Sequence, residues 1–195
     1  MDAFQSDTFC MITRNGIRKF VYAALLILGA AAHADKSSQF SFVYGLSVPD
    51  YDNTKVFHLM GVKGQAFIAP VFSFGGYFYL SDSAGQKSST EKFNFGLYGV
   101  EAAYHIPAST GDTFVALRMG MTKVGMSPGG ADMTFSPYHY GIASGYDHYI
   151  TEKFGIGFEG SYLHVLPGRT DLNGTSYEQK SFNIINFLIT AQIRL

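Results

Sequence analysis

The chain has 195 residues, 47% of them hydrophobic and only 15% charged, with a net charge of −1. This length suits one domain, and the charge lacks the basic stripe that nucleic-acid binding needs. No run of ~18 apolar residues follows Ala34, so a transmembrane helix is excluded there, and the low charge must instead be explained by apolar residues dealt out along strands.

The first 34 residues read as a secretory signal peptide. Arg14, Arg18 and Lys19 supply a positive start, Val21 to Ala32 an apolar stretch, and Ala32-His33-Ala34 a small-residue cleavage site. The stretch is shorter than the ~20 residues a spanning helix requires. Residues 1–10 are superfluous to this signal, which makes Met11 the expected start. The one cysteine, Cys10, precedes the apolar stretch, so the expected mature chain (35–195) has neither a disulfide nor a cysteine-based metal site.

Eight alternating segments follow, at roughly 40–48, 57–68, 71–81, 93–105, 113–125, 138–150, 154–165 and 182–195. Each meets the ~9–11 residues of a membrane strand. The 18 Phe, 13 Tyr and 22 Gly fit that reading, the rings through strand preference and the glycines where interior space is tight. Connections alternate in length. Those holding Pro49 to Asn53, Ser81 to Glu91, Met126 to Asp132 and Pro167 to Lys180 are long and polar, and those at Ala69-Pro70, Pro107 to Asp112 and Thr151 to Lys153 are short. Asn173-Gly174-Thr175 reads as loop chemistry. Long connections at one end and short ones at the other indicate a closed, antiparallel, up-and-down transmembrane β-barrel of eight strands, an all-β fold. Its termini are expected on the periplasmic side and its long loops outside the cell. Closure removes unpaired strand edges, as a bilayer demands.

Parity assigns the faces. In the last segment Ile185, Phe187, Ile189, Ala191, Ile193 and Leu195 oppose Asn186, Leu188, Thr190, Gln192 and Arg194. In the fifth, Val115, Leu117, Met119 and Met121 oppose Ala116, Arg118, Gly120 and Thr122. The charged residues Lys63, Glu101, Arg118 and Glu159 all fall on the inner face, with Asp147 and Arg194 sharing that parity. Eight strands leave an interior that side chains fill, and buried charges need partners. The expectation is a lumen network in which Glu101 and Glu159 pair with Arg118, Lys63 or both. Phe40, Tyr104, Phe114, Tyr138, Tyr140, Tyr149 and Phe154 sit toward strand ends, where aromatic rings suit a membrane interface.

Together the signal segment, the alternating strands, the long outer connections and the final Phe187 to Leu195 strand resemble the small outer-membrane β-barrels, the OmpA-transmembrane-domain-like and OmpX-like group. The last strand departs from that group's habit by ending in Leu195 instead of an aromatic. The resemblance implies residence in the outer membrane of a Gram-negative bacterium, contact with outer-membrane lipid and lipopolysaccharide, insertion by the barrel-assembly machinery and a monomeric state. It says little about function, since sites and not folds carry function.

Catalysis finds no support in the sequence. No histidine is followed two positions later by serine, as lipid A deacylases of this size require, and no Gly-x-Ser-x-Gly or His-Glu-x-x-His motif occurs. Ser136 with His139 is the only local candidate for an acyl-transfer pair. His58, His105, His139, His148 and His164 lack metal-ligand spacing. No catalytic residue, cofactor or metal is therefore assigned. The expected role is a non-enzymatic scaffold or a surface adhesion and interaction protein. Its candidate outer surface comprises Asp50, Tyr51, Asp52, Lys87, Glu91, Asp132, Arg169, Asp171 and Tyr177. The alternatives are a small-solute or ion pore and a lipid A-modifying enzyme.

Overall fold

The computed structural model describes residues 38–50, 56–82, 84–85, 92–126, 133–172 and 175–195. The expected signal segment, its cleavage site and the Met11 start lie outside these residues. All described regular structure is β. In chain order the strands are β1 (Ser38–Pro49), β2 (Phe57–Ala69), β3 (Phe72–Ser81), β4 (Ala84–Gly85), β5 (Lys92–Ala108), β6 (Gly111–Met126), β7 (Met133–Phe135), β8 (Tyr138–Tyr149), β9 (Phe154–Val165), β10 (Gly168–Leu172), β11 (Thr175–Gln179) and β12 (Phe182–Arg194).

Eight long strands form the wall in the order β1-β2-β3-β5-β6-β8-β9-β12, and β12 pairs antiparallel with β1 from Arg194↔Gln39 to Ile184↔Pro49. The sheet is closed. Backbone bonds tie the seam at both ends, from Leu195 N to Ser38 O (2.8 Å) and from Asp50 N to Asn183 O (2.7 Å). Every wall strand meets its sequence neighbour in the wall, so the connections are hairpins and the barrel is up-and-down.

Alternation explains the wall. Inner residues such as Ser47, Ser73, Ala116, Arg118, Glu159 and Asn186 are buried. Their neighbours Leu46, Phe74, Leu117, Phe158 and Phe187 face outward and are exposed, Leu117 at 67%. A β-bulge between Phe67 and Ala69 breaks the register of β2 with β3 next to the first short turn.

Three of the aromatics expected at the interface are placed differently. Phe114 points into the lumen, and Tyr149 turns inward to donate to Asp112 Oδ2 (2.7 Å). Phe40 is buried, its ring edge-on to Phe42 at 5.1 Å. Tyr104, Tyr138, Tyr140 and Phe154 do face outward.

The segment 167–180 is not a plain polar loop. β10 and β11 pair from Gly168↔Gln179 to Leu172↔Thr175 as a separate two-stranded ribbon. The signal was in the sequence: Asn173-Gly174 is the pair that two-residue hairpins favour. Short strands β4 and β7 similarly extend the outer ends of β5 and β6.

Candidate functional site

The lumen is built in layers. At its centre Arg118 on β6 stands opposite Glu101 on β5 in the strand register. Its Nε donates to Glu101 Oε2 at 2.5 Å. Its other two nitrogens donate to Glu159 Oε1 at 2.6 Å and Oε2 at 2.8 Å, a two-pronged contact across the barrel. Lys63 Nζ donates to the same Glu159 Oε2 at 3.0 Å and lies 3.7 Å from Glu101 Oε1. The structure thus brings all four predicted charges into one quartet, with Arg118 at 2% exposure and the others at 1–2%. The guanidinium also lies over the Tyr77 ring (5.0 Å), and Lys63 Nζ over Phe114 (4.7 Å). Such fork-like contacts are the strong form of ionic hydrogen bond.

On the outer side of this quartet sequence parity missed an apolar layer. Phe57, Leu59, Phe95, Leu97, Leu163, Val165, Phe182 and Ile184 fill the outer half of the lumen. It was hidden because these strand ends depart from the polar-in, apolar-out contrast: inward Leu163 and Val165 flank His164, and inward Phe182 and Ile184 flank Asn183. Between the layers His139 is held at both ring nitrogens, Nε2 by the Tyr77 hydroxyl (2.5 Å) and Nδ1 by Thr122 Oγ1 (2.9 Å). Asn186 bridges Ser47 (2.6 Å) and Ser161 (2.9 Å).

Toward the short-turn end of the barrel, Gln65 donates to Glu101 (2.8 Å) and to Ser73 (3.2 Å), which meets His105 Nε2 (2.8 Å). The mouth is closed by Arg194, whose guanidinium covers the Tyr149 ring at 3.5 Å and pairs with Asp112 at 3.0 Å. Lumen glycines make room for these bulky groups. A Cβ on Gly145 would lie 2.8 Å from the Phe114 ring and against the Phe158 carbonyl.

The acyl-transfer candidate does not assemble. Its His139 lies buried in the lumen with both nitrogens engaged, while Ser136 is exposed at the rim. Two other histidines face outward near the outer rim, His58 against Tyr44 (Oη to Nδ1 3.0 Å) and His164 against Asn183 (Nδ1 to Oδ1 2.8 Å). Among the described residues no group of three His, Cys, Asp or Glu side chains is placed to hold a metal.

Of the expected outer surface, Tyr51, Asp52, Lys87, Glu91 and Asp132 lie outside the described residues. Asp50 caps the seam. Arg169, Asp171 and Tyr177 all fall on the β10–β11 ribbon, where Arg169 Nε donates to Ser176 Oγ at 2.5 Å and Tyr177 is partly exposed. At the base of that ribbon Pro167, Gly168, Arg169, Glu178, Gln179, Lys180 and Ser181 line a cleft of about 580 Å³. Sequence reasoning did not find this cleft, because it exists only once the ribbon folds back on itself.

The closed wall, its hairpin connections and its filled lumen define the fold of the small eight-stranded outer-membrane β-barrels. Among solved structures, the chain is similar to neisserial surface protein A (TM-score 0.62, 12% identity, covering 82% of this chain and 96% of that one). It is also similar to Ail, the attachment invasion locus protein of Yersinia pestis (TM-score 0.56, 16% identity, 82% and 99%). A third likeness is to the N-terminal β-barrel domain of Pseudomonas aeruginosa OprF (TM-score 0.54, 12% identity, 81% and 98%). No protein-family model and no curated protein matches the sequence.

Proposed function

We propose that this chain is an integral, monomeric, non-enzymatic protein of a bacterial outer membrane that serves as a surface interaction module. In this reading the outward apolar face meets lipid and lipopolysaccharide, and the barrel-assembly machinery inserts the chain. The termini lie in the periplasm, and the ends carrying the β10–β11 ribbon face outside. The observation that carries the reading is the filled interior. An ionic quartet and an apolar layer above it fill the lumen with buried side chains, and the half-buried Arg194–Asp112–Tyr149 closure lies below. The function is therefore sought outside, on connections held by a rigid wall. The ribbon cleft offers Arg169, Lys180 and Glu178 beside Gln179, a polar set suited to a charged or hydroxyl-rich ligand.

A sulfated sugar is a rational first probe for the two cations. Ail of Yersinia pestis has been solved in complex with the heparin analogue sucrose octasulfate. Exchanging residues 167–180 for a Gly/Ser linker should abolish whole-cell binding of the ligand while the barrel still folds, because β9 and β12 pair directly up to Val165↔Phe182. Retained binding after that exchange overturns the placement of the site. Steady single-channel conductance in planar bilayers overturns the reading in favour of a pore.

A further inference from the structure

We infer that the half of the lumen between the ionic quartet and the short turns is a blind compartment that admits water and small hydrogen-bonding solutes from that end, with the Arg194 side chain as its movable cover. This inference is independent of what the outer ribbon binds.

The interior is unequal about the quartet. On its outer side lies the apolar layer that includes Leu59, Leu97, Leu163 and Ile184. On its other side the inward residues are mostly polar. On β2 and β5, Gln65 and His105 follow Lys63 and Glu101 toward the short turns. On β1, Ser41 stands opposite both Lys63 and Gln192, and Gln39 opposite both Gln65 and Arg194. Gln39, Ser41, His105 and Gln192 are all fully buried.

Hydrogen-bonding capacity is left over in this half. Gln39 Oε1, Ser41 Oγ, His105 Nδ1, Gln192 Oε1 and Arg194 Nε are buried and have no partner among the described residues. Over the same residues the rest of the lumen holds one such atom, Tyr79 Oη. Buried polar atoms are almost always paired, with protein or with ordered water, and an unpaired one is costly. Five in one compartment mark it as the part of the interior that solvent enters. Each atom takes its own solvent partner, so no convergence on a single point is needed.

The way in is past Arg194. From β12 it reaches across the mouth to Asp112 on β6 at 3.0 Å. Its guanidinium lies 3.5 Å from the Tyr149 ring of β8 and 6.0 Å from the Phe67 ring of β2. The same Phe67 ring is 4.8 Å from the ring of His105, which sets the cover next to one of the unpaired groups. The Arg194 side chain is 32% exposed, and ion pairs open to solvent hold weakly. The quartet is fully buried, and breaking it leaves charges without partners. Arg194 is therefore the weak closure and the quartet the strong one. Between them, the Gln and Ser side chains turn by rotamer changes that leave the backbone in place. Solvent that passes Arg194 reaches the level of Lys63 and stops there.

The test is the reactivity of single cysteines, for which the expected mature chain, having none, gives no background. Ser41→Cys puts a thiol at the level of Lys63, and Leu59→Cys puts one in the apolar layer. The vesicle-inserted proteins are treated with methyl methanethiosulfonate, a small neutral reagent that reaches both ends of the barrel, and modification is followed by mass. Ser41→Cys should react. Adding Arg194→Ala should speed that reaction about tenfold, the order set by one partly exposed ion pair and one cation–ring contact. Arg194→Lys should fall between the two. Leu59→Cys should stay unmodified over the same period with or without Arg194→Ala. Cold electrophoresis checks that each variant is folded, and Thr190→Cys, beside Gln192, replaces Ser41→Cys if the latter fails to fold. Equal rates with and without Arg194→Ala, no reaction of the compartment cysteine once Arg194 is removed, or Leu59→Cys as reactive as Ser41→Cys would each overturn the inference.

Discussion

Arg118→Ala tests the architecture of the lumen most directly. Arg118 donates to Glu101 and makes two contacts to Glu159. Its removal leaves two buried carboxylates sharing Lys63, which touches Glu159 at 3.0 Å and Glu101 only at 3.7 Å. Breaking a buried ion pair from one side costs ~3–5 kcal/mol, a large part of the ~5–15 kcal/mol that holds a typical domain folded. With a urea slope of roughly 2 kcal/mol per molar, the midpoint should fall by roughly 2 M. Urea titration of vesicle-inserted protein, with folded and unfolded barrels resolved by cold electrophoresis, reads this shift. The charge argument makes a second demand. Arg118→Met combined with Glu159→Gln removes one charge of each sign and should cost much less than Arg118→Ala alone. A midpoint for Arg118→Ala within about 0.5 M of the unaltered protein would refute the reasoning, as would a double variant less stable than the single one.

Two further outcomes follow from the two faces of the wall. Leu117→Arg changes the residue next to Arg118 on the exposed face, and should destabilise the inserted barrel by ~2–4 kcal/mol in the same titration. An unaltered midpoint would mean that this face does not meet lipid. Gly145→Ala should cost ~1–3 kcal/mol through overpacking, because its Cβ would strike the backbone carbonyl oxygen of Phe158 and lie 2.8 Å from the Phe114 ring. Pairing it with Phe114→Leu should recover part of the loss, and no recovery would remove Phe114 as the cause.

Much of this molecule was legible in its sequence, for a physical reason. A wall between lipid and a filled lumen imposes a period of two on every strand, and a charge on the wrong face is too costly to keep. Lys63, Glu101, Arg118 and Glu159 therefore marked the inner face, and the segments read from the sequence match the wall strands to within a few residues. Legibility failed where that contrast disappears. Phe182, Ile184, Leu163 and Val165 line an apolar part of the lumen, while Asn183 and His164 between them face outward, so apolar residues no longer mark the outer face there. Tyr149 and Phe114 were misplaced because an aromatic ring at a strand end suits either an interface or a packed interior. The ribbon cleft arises from the folding back of 167–180, which polarity alone concealed.

The quartet also bears on how the cylinder is completed. Lys63 belongs to β2 and Glu159 to β9, and the strands between them are β1 and β12, the first and last described strands of the wall. Their contact bridges a junction that cannot form until β12 has been made. A half-assembled sheet therefore holds Arg118 beside Glu101 but lacks the Lys63–Glu159 link. Zipping β12 onto β1 brings that attraction into being as the ring closes, so the interior acts as a latch that rewards the finished ring.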